Sequence, residues 1–228
     1  MSLPLCWKAR EVGGDLYDFF MIDARRLCFV VADVSGKGVP ASLFMAVTKT
    51  LTKSFSLRLT GSVADVVMAA NQDLSRENVG MMFVTLLLGV LDVQTGELEL
   101  VNAGHDSPWR ISRGGVVEKI ATPADTGGPP LCVVDDFVYL SQRLQLSAGD
   151  TLCVITDGVT EAMNQTGEMF GGQRLQAALS ATPMGQSLNQ MMTRLRAEIT
   201  GFVGAAEASD DLTLLLLRWQ PESPAATA

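Results

Sequence analysis

The stretch VVADVSGKGVP, residues 30–40, carries an apolar strand to a single carboxylate and then turns directly into a helical pattern. The apolar run from Cys28 to Ala32 ends at Asp33, and two glycines flank Lys37 before Pro40 opens the helix. A strand that ends on one acid at a tight turn is a suitable place to hold a cation. Asp followed by Ser-Gly is also ordinary turn chemistry, so this stretch alone leaves both interpretations open.

Composition limits the classes of protein to which the chain can belong. Its 228 residues are 47% hydrophobic, which is enough for one large domain with a substantial core. The formal net charge of −8 and the lack of any basic run argue against a nucleic-acid partner. The longest apolar run, residues 81–91, is too short to span a membrane. The four cysteines form no CxxC pair, which predicts thiols in a reducing compartment, the cytoplasm.

Hydrophobic periodicity predicts hairpins and paired helices. After an apolar run that follows Asp15, strands are predicted at 26–34, 83–93, 97–100, 109–111, 116–120, 137–146, 151–156 and 212–219, and helices at 41–59, 62–76, 172–181 and 187–200. This order favours an α+β fold in which two stacked antiparallel sheets are flanked by helix pairs. Residues 1–220 are predicted to form a single domain and residues 221–228 a disordered tail.

The first two helices have distinct sequence signals. In the first, Phe44, Val47, Leu51 and Phe55 recur at helical spacing and predict its core-facing side. The second begins at Ser62-x-x-Asp65, which resembles a capping box, because each of the two side chains can bond the other's backbone N–H. Both helices follow the strand that ends at Asp33, so they are expected to cover one sheet.

Four aspartates share the setting of a strand end. Asp15 follows a Gly-Gly pair, Asp33 and Asp157 close strands, and Asp210 precedes the last strand. Carboxylates from distant strands can converge at one end of a sheet sandwich, where their repulsion is costly unless cations neutralise it. An all-oxygen ligand set suits Mg²⁺ or Mn²⁺ and not zinc, and two such ions can bind phosphate and activate a water molecule. Any one aspartate could simply solvate a loop, but the four together favour a metal site.

At this point the chain resembles the PPM, or PP2C-like, metal-dependent serine/threonine phosphatases, in the bacterial branch that includes SpoIIE and RsbU. The matching segments are GGDLYDFF at 13–20, ADVSGKGVPASL at 32–43, FVTLLLGVLDVQTGELELVNAGHDSP at 83–108, ITDGVTEA at 155–162, FGGQRL at 170–175 and SDDLTLLLL at 209–217. The resemblance implies a four-layer α/β/β/α sandwich with two Mn²⁺ or Mg²⁺ ions. It also implies that a metal-bridged hydroxide hydrolyses phosphoserine or phosphothreonine on a signalling protein.

The expected partners follow from the same resemblance. The substrate implied is a phosphorylated STAS-type anti-sigma-factor antagonist, in a pathway of sigma factor regulation. Relatives usually carry a sensor or receiver domain ahead of this one, so such a domain is expected upstream in the full-length protein. A homodimer is left open.

The resemblance assigns roles to individual residues. Asp33 would bridge the two ions, and the carbonyl of Val34 would bind one of them. Asp157 and Asp210 would bind the other ion. Asp15 would complete the shell, directly or through water.

Two neighbouring positions are less clear. Asp211 stands where relatives often carry Asn, so it is expected behind the ligands, although a register shift of one residue would exchange it with Asp210. Ser35 stands where animal-type members carry a histidine that acts as general acid. A metal-bound water or Lys37 would then have to protonate the leaving oxygen.

Two further residues and a second function stay open. Arg10 is a candidate for contact with the phosphate, and His105, the only histidine, could donate a proton or hold a turn; the turn is preferred. Because no general acid is evident, the alternative is a catalytically weak phosphatase-like module that binds a phosphoprotein partner for regulation.

Overall fold

The computed structural model describes residues 5–8, 14–76, 78, 80–183, 185–207 and 210–221. In chain order the elements are β1 (Leu5–Lys8), β2 (Leu16–Met21), β3 (Arg26–Val34), α1 (Val39–Arg58), α2 (Val63–Arg76), β4 (Val84–Asp92), β5 (Glu97–Ala103), β6 (Trp109–Ile111), β7 (Val117–Lys119), β8 (Gln142–Gln145), β9 (Thr151–Ile155), α3 (Asp157–Thr160), α4 (Gly171–Ser180), α5 (Leu188–Val203) and β10 (Thr213–Arg218). Apart from residue 221, the predicted disordered tail lies outside the described residues. No helix in the described ranges has the length and apolar character needed to cross a membrane.

The strands form two five-stranded antiparallel sheets. One, here the β10 sheet, has the order β1-β10-β9-β6-β7, and the other, the β3 sheet, has the order β2-β3-β4-β5-β8. One hydrophobic core lies between the two sheets, a second lies under α1 and α2, and a third lies under α4 and α5. The predicted α/β/β/α sandwich of two antiparallel sheets and flanking helix pairs is therefore confirmed.

Strand β3 is covered on both faces, which is why its sequence is an unbroken apolar run. Its side chains alternate, so that Phe29 faces the opposing sheet and Val30 packs beneath the helices. Gly89 of β4 pairs with Phe29, and a Cβ at Gly89 would overlap the Phe29 ring and come within 2.6 Å of Leu100. This close packing holds β3 in register up to Asp33 at its end.

Helix α1 buries most of the face that was predicted, with one exception. Phe44, Leu51 and Phe55 pack against the core as expected, but Val47 is 49% exposed. The fully buried polar positions of the helix are Thr48, Thr52 and Ser56. Their hydroxyls donate to backbone carbonyls four residues earlier, so small, internally satisfied side chains let the helix lie close to the sheet.

Other predicted elements needed smaller corrections. The strand predicted at 137–146 shrinks to β8, because Tyr139 is fully buried and its hydroxyl donates to the Pro129 carbonyl at 2.9 Å, which fixes this segment as a loop. The one-turn helix α3 and the edge strand β1 were not predicted, and both are too short to show a period. The capping pair of Ser62 and Asp65 is confirmed by reciprocal hydrogen bonds of 2.7 and 3.2 Å.

Candidate metal centre

The predicted aspartates lie at the same end of the two sheets. In the β3 sheet, Leu16 pairs with Ala32, so that Asp15 and Asp33 are neighbours at one strand end. In the β10 sheet, Leu214 pairs with Ile155, which places Asp157 beside the Asp210–Asp211 segment ahead of β10. The acids of each sheet therefore lie in pairs, because in an antiparallel pair the end of one strand lies beside the start of the other.

A buried hydrogen-bond chain joins the two pairs across the sandwich. The Thr156 hydroxyl donates to the Asp15 carboxylate at 2.8 Å and accepts from the Thr213 backbone N–H at 3.0 Å. The side chains of all three residues are at most 2% exposed. Since Asp15 belongs to the β3 sheet and Thr156 to the β10 sheet, this contact sets the position of one sheet end relative to the other.

Two glycines let the carboxylate-bearing segments approach one another. A Cβ at Gly14 would lie 2.9 Å from the Val34 carbonyl oxygen and 3.2 Å from Asp33 Oδ1. A Cβ at Gly158 would overlap the carbonyl oxygen of Asp211. Both contacts involve backbone, which cannot move aside as a flexible side chain can, so the approach requires glycine at each position.

Burial and mutual repulsion make the carboxylates of the β3 sheet hard to ionise. Burial, followed by the charges of Asp15, Asp157 and Asp210, raises the pKa of Asp33 to about 8. Burial also raises the pKa of Asp15, although the hydrogen bond from Thr156 opposes it. A hydrogen bond from Asp33 to Asp15 further favours the protonated form of Asp33. Burial and repulsion therefore disfavour negative charge on both acids, a cost that a bound cation would relieve.

The carboxylates of the β10 sheet are more exposed, and one of them contacts a lysine. Burial raises the pKa of Asp157, and the charges of Asp210 and Asp106 act in the same direction. The Lys37 ammonium lies 3.6 Å from Asp210 Oδ2, with both side chains well exposed. Asp211 is 6% exposed, and its charge raises the pKa of Asp15, so it lies behind the open carboxylates.

This donor set fits hard divalent cations. It is made of carboxylate oxygens, and positive charge would offset both the burial and the repulsion that raise the pKa of Asp33. Within the described ranges, no three Asp, Glu, His or Cys side chains already form a ligand group for one ion. Mg²⁺ commonly needs only one or two carboxylates, since waters fill its other positions, so two ions with a shared carboxylate are compatible with the arrangement.

Ser35 joins the end of β3 to the segment before β4. Its backbone N–H donates to the Phe83 carbonyl at 2.9 Å, and its side-chain oxygen accepts from the Phe83 N–H at 2.9 Å. The residue that stands in the place of the animal-type histidine therefore has a structural contact. This geometry gives Ser35 no evident acid–base role.

His105 is fixed in a turn beside the centre. Its backbone N–H donates to Asn102 Oδ1 at 2.8 Å, its carbonyl accepts from Asn102 Nδ2 at 2.9 Å, and its ring Nδ1 lies 3.0 Å from the Thr85 hydroxyl. Thr85 pairs with Asp33 across the strands. Burial lowers the pKa of His105 to about 4, and neither Asp106 nor the Ile155 backbone offsets it. The ring is therefore neutral near pH 7, which favours the preferred structural role.

Replacing His105 with glutamine tests this assignment. Between pH 4 and 6.5 the unfolded chain binds a proton on His105 that the folded chain does not, so this residue makes the free energy of unfolding rise with pH. We expect His105→Gln to reduce that slope by about 1.4 kcal/mol per pH unit within the window. Urea unfolding at several pH values measures it; equal slopes for the variant and the parent chain would contradict the assignment.

Several contributors to the site carried little signal in the sequence. Thr156 lies in the quoted ITDG segment, but it is not an acidic residue and therefore does not stand out as part of a metal site. Thr213 contributes its backbone N–H, which any residue except proline could supply. Their roles follow only from the pairing of β9 with β10. Arg10, the candidate phosphate contact, lies outside the described residues.

Curated relatives of the chain include two bacterial proteins. Protein IcfG of Synechocystis sp. is 28% identical over 233 residues, which cover 91% of this chain and 36% of that protein. Phosphoserine phosphatase RsbU of Bacillus subtilis is 26% identical over 216 residues, which cover 92% of this chain and 60% of that protein. The chain thus spans 36% to 60% of the length of these two relatives.

Solved structures share the fold. The SiaA-PP2C domain of Pseudomonas aeruginosa superposes with a TM-score of 0.80 at 22% identity, over 95% of this chain and 86% of that chain. The PP2C phosphatase domain of SpoIIE from Bacillus subtilis, solved with a fragment of its regulatory domain, gives 0.79 at 20% identity, over 97% of this chain and 63% of that chain. At these identities the similarity establishes the fold, which is PP2C-like as predicted.

The family model described as Stage II sporulation protein E (SpoIIE) matches residues 23–220. That range begins before β3 and ends after β10, so it includes Asp33, Asp157 and Asp210. The predicted resemblance is confirmed, and the chain belongs to the SpoIIE family.

Proposed function

We propose that the chain is a metal-dependent protein serine/threonine phosphatase that hydrolyses phosphoserine or phosphothreonine on a signalling protein. The observation that carries the proposal is the convergence of Asp15, Asp33, Asp157 and Asp210 at one end of both sheets, where burial and the charges of the other three raise the pKa of Asp33. The relative RsbU is named a phosphoserine phosphatase, which agrees with this chemistry. Residues 1–220 would form the single phosphatase domain.

The site would hold two Mn²⁺ or Mg²⁺ ions. Asp33 would bridge them, the Val34 carbonyl would bind one, and Asp157 and Asp210 would bind the other. Asp15 would complete the shell, held in place by Thr156. When bound, such ions neutralise phosphate oxygens and lower the pKa of a water molecule.

The protein's own residues would position these parts. Burial of Asp33 and Asp15 keeps their carboxylates away from bulk water, so their negative charge acts on bound cations with little screening. Lys37 is 67% exposed next to Asp210, where its ammonium can approach an incoming phosphate and orient it. His105 holds the turn beside Thr85 in a neutral state and supplies no proton near pH 7.

The proposed substrate is a phosphorylated STAS-type anti-sigma-factor antagonist. This assignment rests on the resemblance to the branch that includes RsbU. A sensor or receiver domain in the full-length protein would supply the control, and the cytoplasm is the proposed compartment.

Removal of metal tests the proposal directly. Without cations the acidic end of the sheets repels a phosphate dianion, so we expect dialysis against a chelator to lower hydrolysis of p-nitrophenyl phosphate by at least about a hundredfold. Adding Mn²⁺ or Mg²⁺ should restore it, and a phosphorylated STAS protein should then be dephosphorylated. Hydrolysis that is unchanged by the chelator would contradict the metal-dependent mechanism.

A catalytically weak binding module remains the second candidate because Ser35 is engaged with Phe83 and gives no evident general acid. This candidate predicts that a phosphorylated STAS protein binds equally well with and without metal and is not turned over. Measuring binding and phosphate release on the same sample separates the two functions.

A further inference from the structure

A cleft of about 690 Å³ opens at the end of the β10 sheet opposite the candidate metal centre. We call it the arginine cleft; the residues used here to define it are Ile111, Arg113, Thr151, Met191, Arg218 and Gln220. Thr151 begins β9 and Asp157 follows its end, so the cleft lies roughly 20 Å from the metal centre along this strand. Its volume is in the range of pockets that bind small molecules.

Two arginines line the cleft without a carboxylate partner in the described ranges. Neither Arg113 nor Arg218 forms an ion pair there, and no aspartate or glutamate of those ranges lines the cleft. The neighbouring Asp150 is 2% exposed and accepts hydrogen bonds from the backbone N–H groups of Arg113 and Ser147. In a chain with net charge −8, this is a local concentration of positive charge.

Arg218 is held in place by other contacts. Arg218 donates from Nε to the Thr151 hydroxyl at 2.8 Å and from Nη1 to the Gln186 carbonyl at 2.6 Å. Burial lowers the pKa of Arg218, which means that its charge is partly desolvated. The stem of Arg113 lies over Gly149, where a Cβ would come within 3.1 Å of it. The pre-positioned guanidinium group of Arg218 therefore loses little freedom when it binds an anion.

We propose that the arginine cleft binds a small organic anion, with its phosphate or carboxylate group held by Arg113 and Arg218. Guanidinium groups match both head groups through paired N–H donors. Ile111 and Met191 contribute apolar atoms to the wall of the same cleft, which suits the nonpolar part of such a ligand. The cleft is separate from the acidic centre, because the two lie at opposite strand ends.

The test uses the full chain in metal-free buffer, where the acidic centre repels anions. Phenyl phosphate and benzoate are titrated separately into the ¹⁵N-labelled protein, and the amide signals of Gly149 and Thr151 are followed; phenol is the uncharged control. We expect at least one anion to shift these signals in a saturable way and phenol to leave them unchanged. The anion that binds more tightly identifies the preferred head group.

Variants make the result specific to the cleft. Arg113→Gln should weaken binding roughly 10-fold to 100-fold, the range expected for loss of a charge-assisted hydrogen bond. Arg218→Lys keeps the positive charge next to Thr151 but removes the paired N–H donors of the guanidinium group. It should weaken binding several-fold. Arg143→Gln, on β8 of the other sheet, should leave the affinity unchanged. Absence of saturable binding by either anion, equal binding of phenol, or unchanged affinity in Arg113→Gln would overturn the proposal.

Discussion

Asp33→Asn is expected to lower metal-dependent hydrolysis roughly a thousandfold and, at the same time, to make the metal-free protein more stable at pH 8. Activity should fall because the amide cannot supply the negative charge proposed to bridge two cations. Stability should rise because Asp33 lies among the charges of Asp15, Asp157 and Asp210. An amide at this position is neutral and removes that repulsion.

The raised pKa of Asp33 determines whether the free energy of unfolding rises or falls with pH. The pKa of Asp33 is about 8 in the folded chain and 3.8 for an ordinary aspartate, so between these values the folded state holds a proton that the unfolded state lacks. The free energy of unfolding contributed by Asp33 therefore falls as pH rises from about 4 to about 8. Urea unfolding of the metal-free protein at pH 5 and pH 8 should show a smaller fall in Asp33→Asn than in the parent chain.

The control for Asp33→Asn is Asp125→Asn, which removes the same charge from an exposed loop. It should change neither the hydrolysis rate nor the pH dependence of stability. If Asp33→Asn kept its activity, or showed the same loss of stability with pH as the parent chain, Asp33 would have neither the role nor the environment described for it.

Gly158→Ala is expected to destabilise the fold by about 3 kcal/mol and to abolish most of the activity. The added Cβ would overlap the Asp211 carbonyl oxygen and would lie 3.5 Å from the Asp210 Cβ. Because the obstacle is backbone, the 210–211 segment must move, and Asp210 moves with it. Thermal unfolding and Mn²⁺-dependent hydrolysis measure the two effects.

Gly172→Ala is the matched control for this substitution. Gly172 lies in α4, and a Cβ there would have no neighbour nearer than Trp109, at 4.0 Å. Alanine favours a helix more than glycine does, so the control should be neutral or stabilising by up to about 1 kcal/mol. Equal losses of stability in the two variants would show that the close approach of Gly158 to Asp211 is not what requires glycine.

The sequence predicts the layers of this fold well because its two periodicities are clear. The run that ends at Asp33 is buried on both faces, and the turn after it is followed by a helix, as expected. The acids could be predicted to converge because each lies at a strand end. Antiparallel pairing then puts Asp15 beside Asp33, and Asp157 beside Asp210.

The features that could not be predicted depend on individual contacts, which hydrophobic periodicity does not indicate. Val47 fits the helical spacing of the buried face, yet Thr48 is buried instead because its hydroxyl is satisfied within the helix. The link from Thr156 to Asp15 joins different sheets, so no local pattern indicates it. Arg113 and Arg218 are more than a hundred residues apart in the chain, and only the order of strands brings them to one cleft.

The placement of β10 has a consequence for synthesis of the protein. This strand lies between β1 and β9, and the Asp210–Asp211 segment directly precedes it, so the last of the described strands to be synthesised is inserted between two strands that leave the ribosome earlier. Thr156 and Asp15, which are 141 residues apart, can complete their hydrogen-bond chain to Thr213 only after that insertion. A nascent chain that stops before Asp210 would therefore lack both that carboxylate and the strand that aligns Thr156, which means that the protein acquires its proposed cation-binding centre only once β10 has been synthesised.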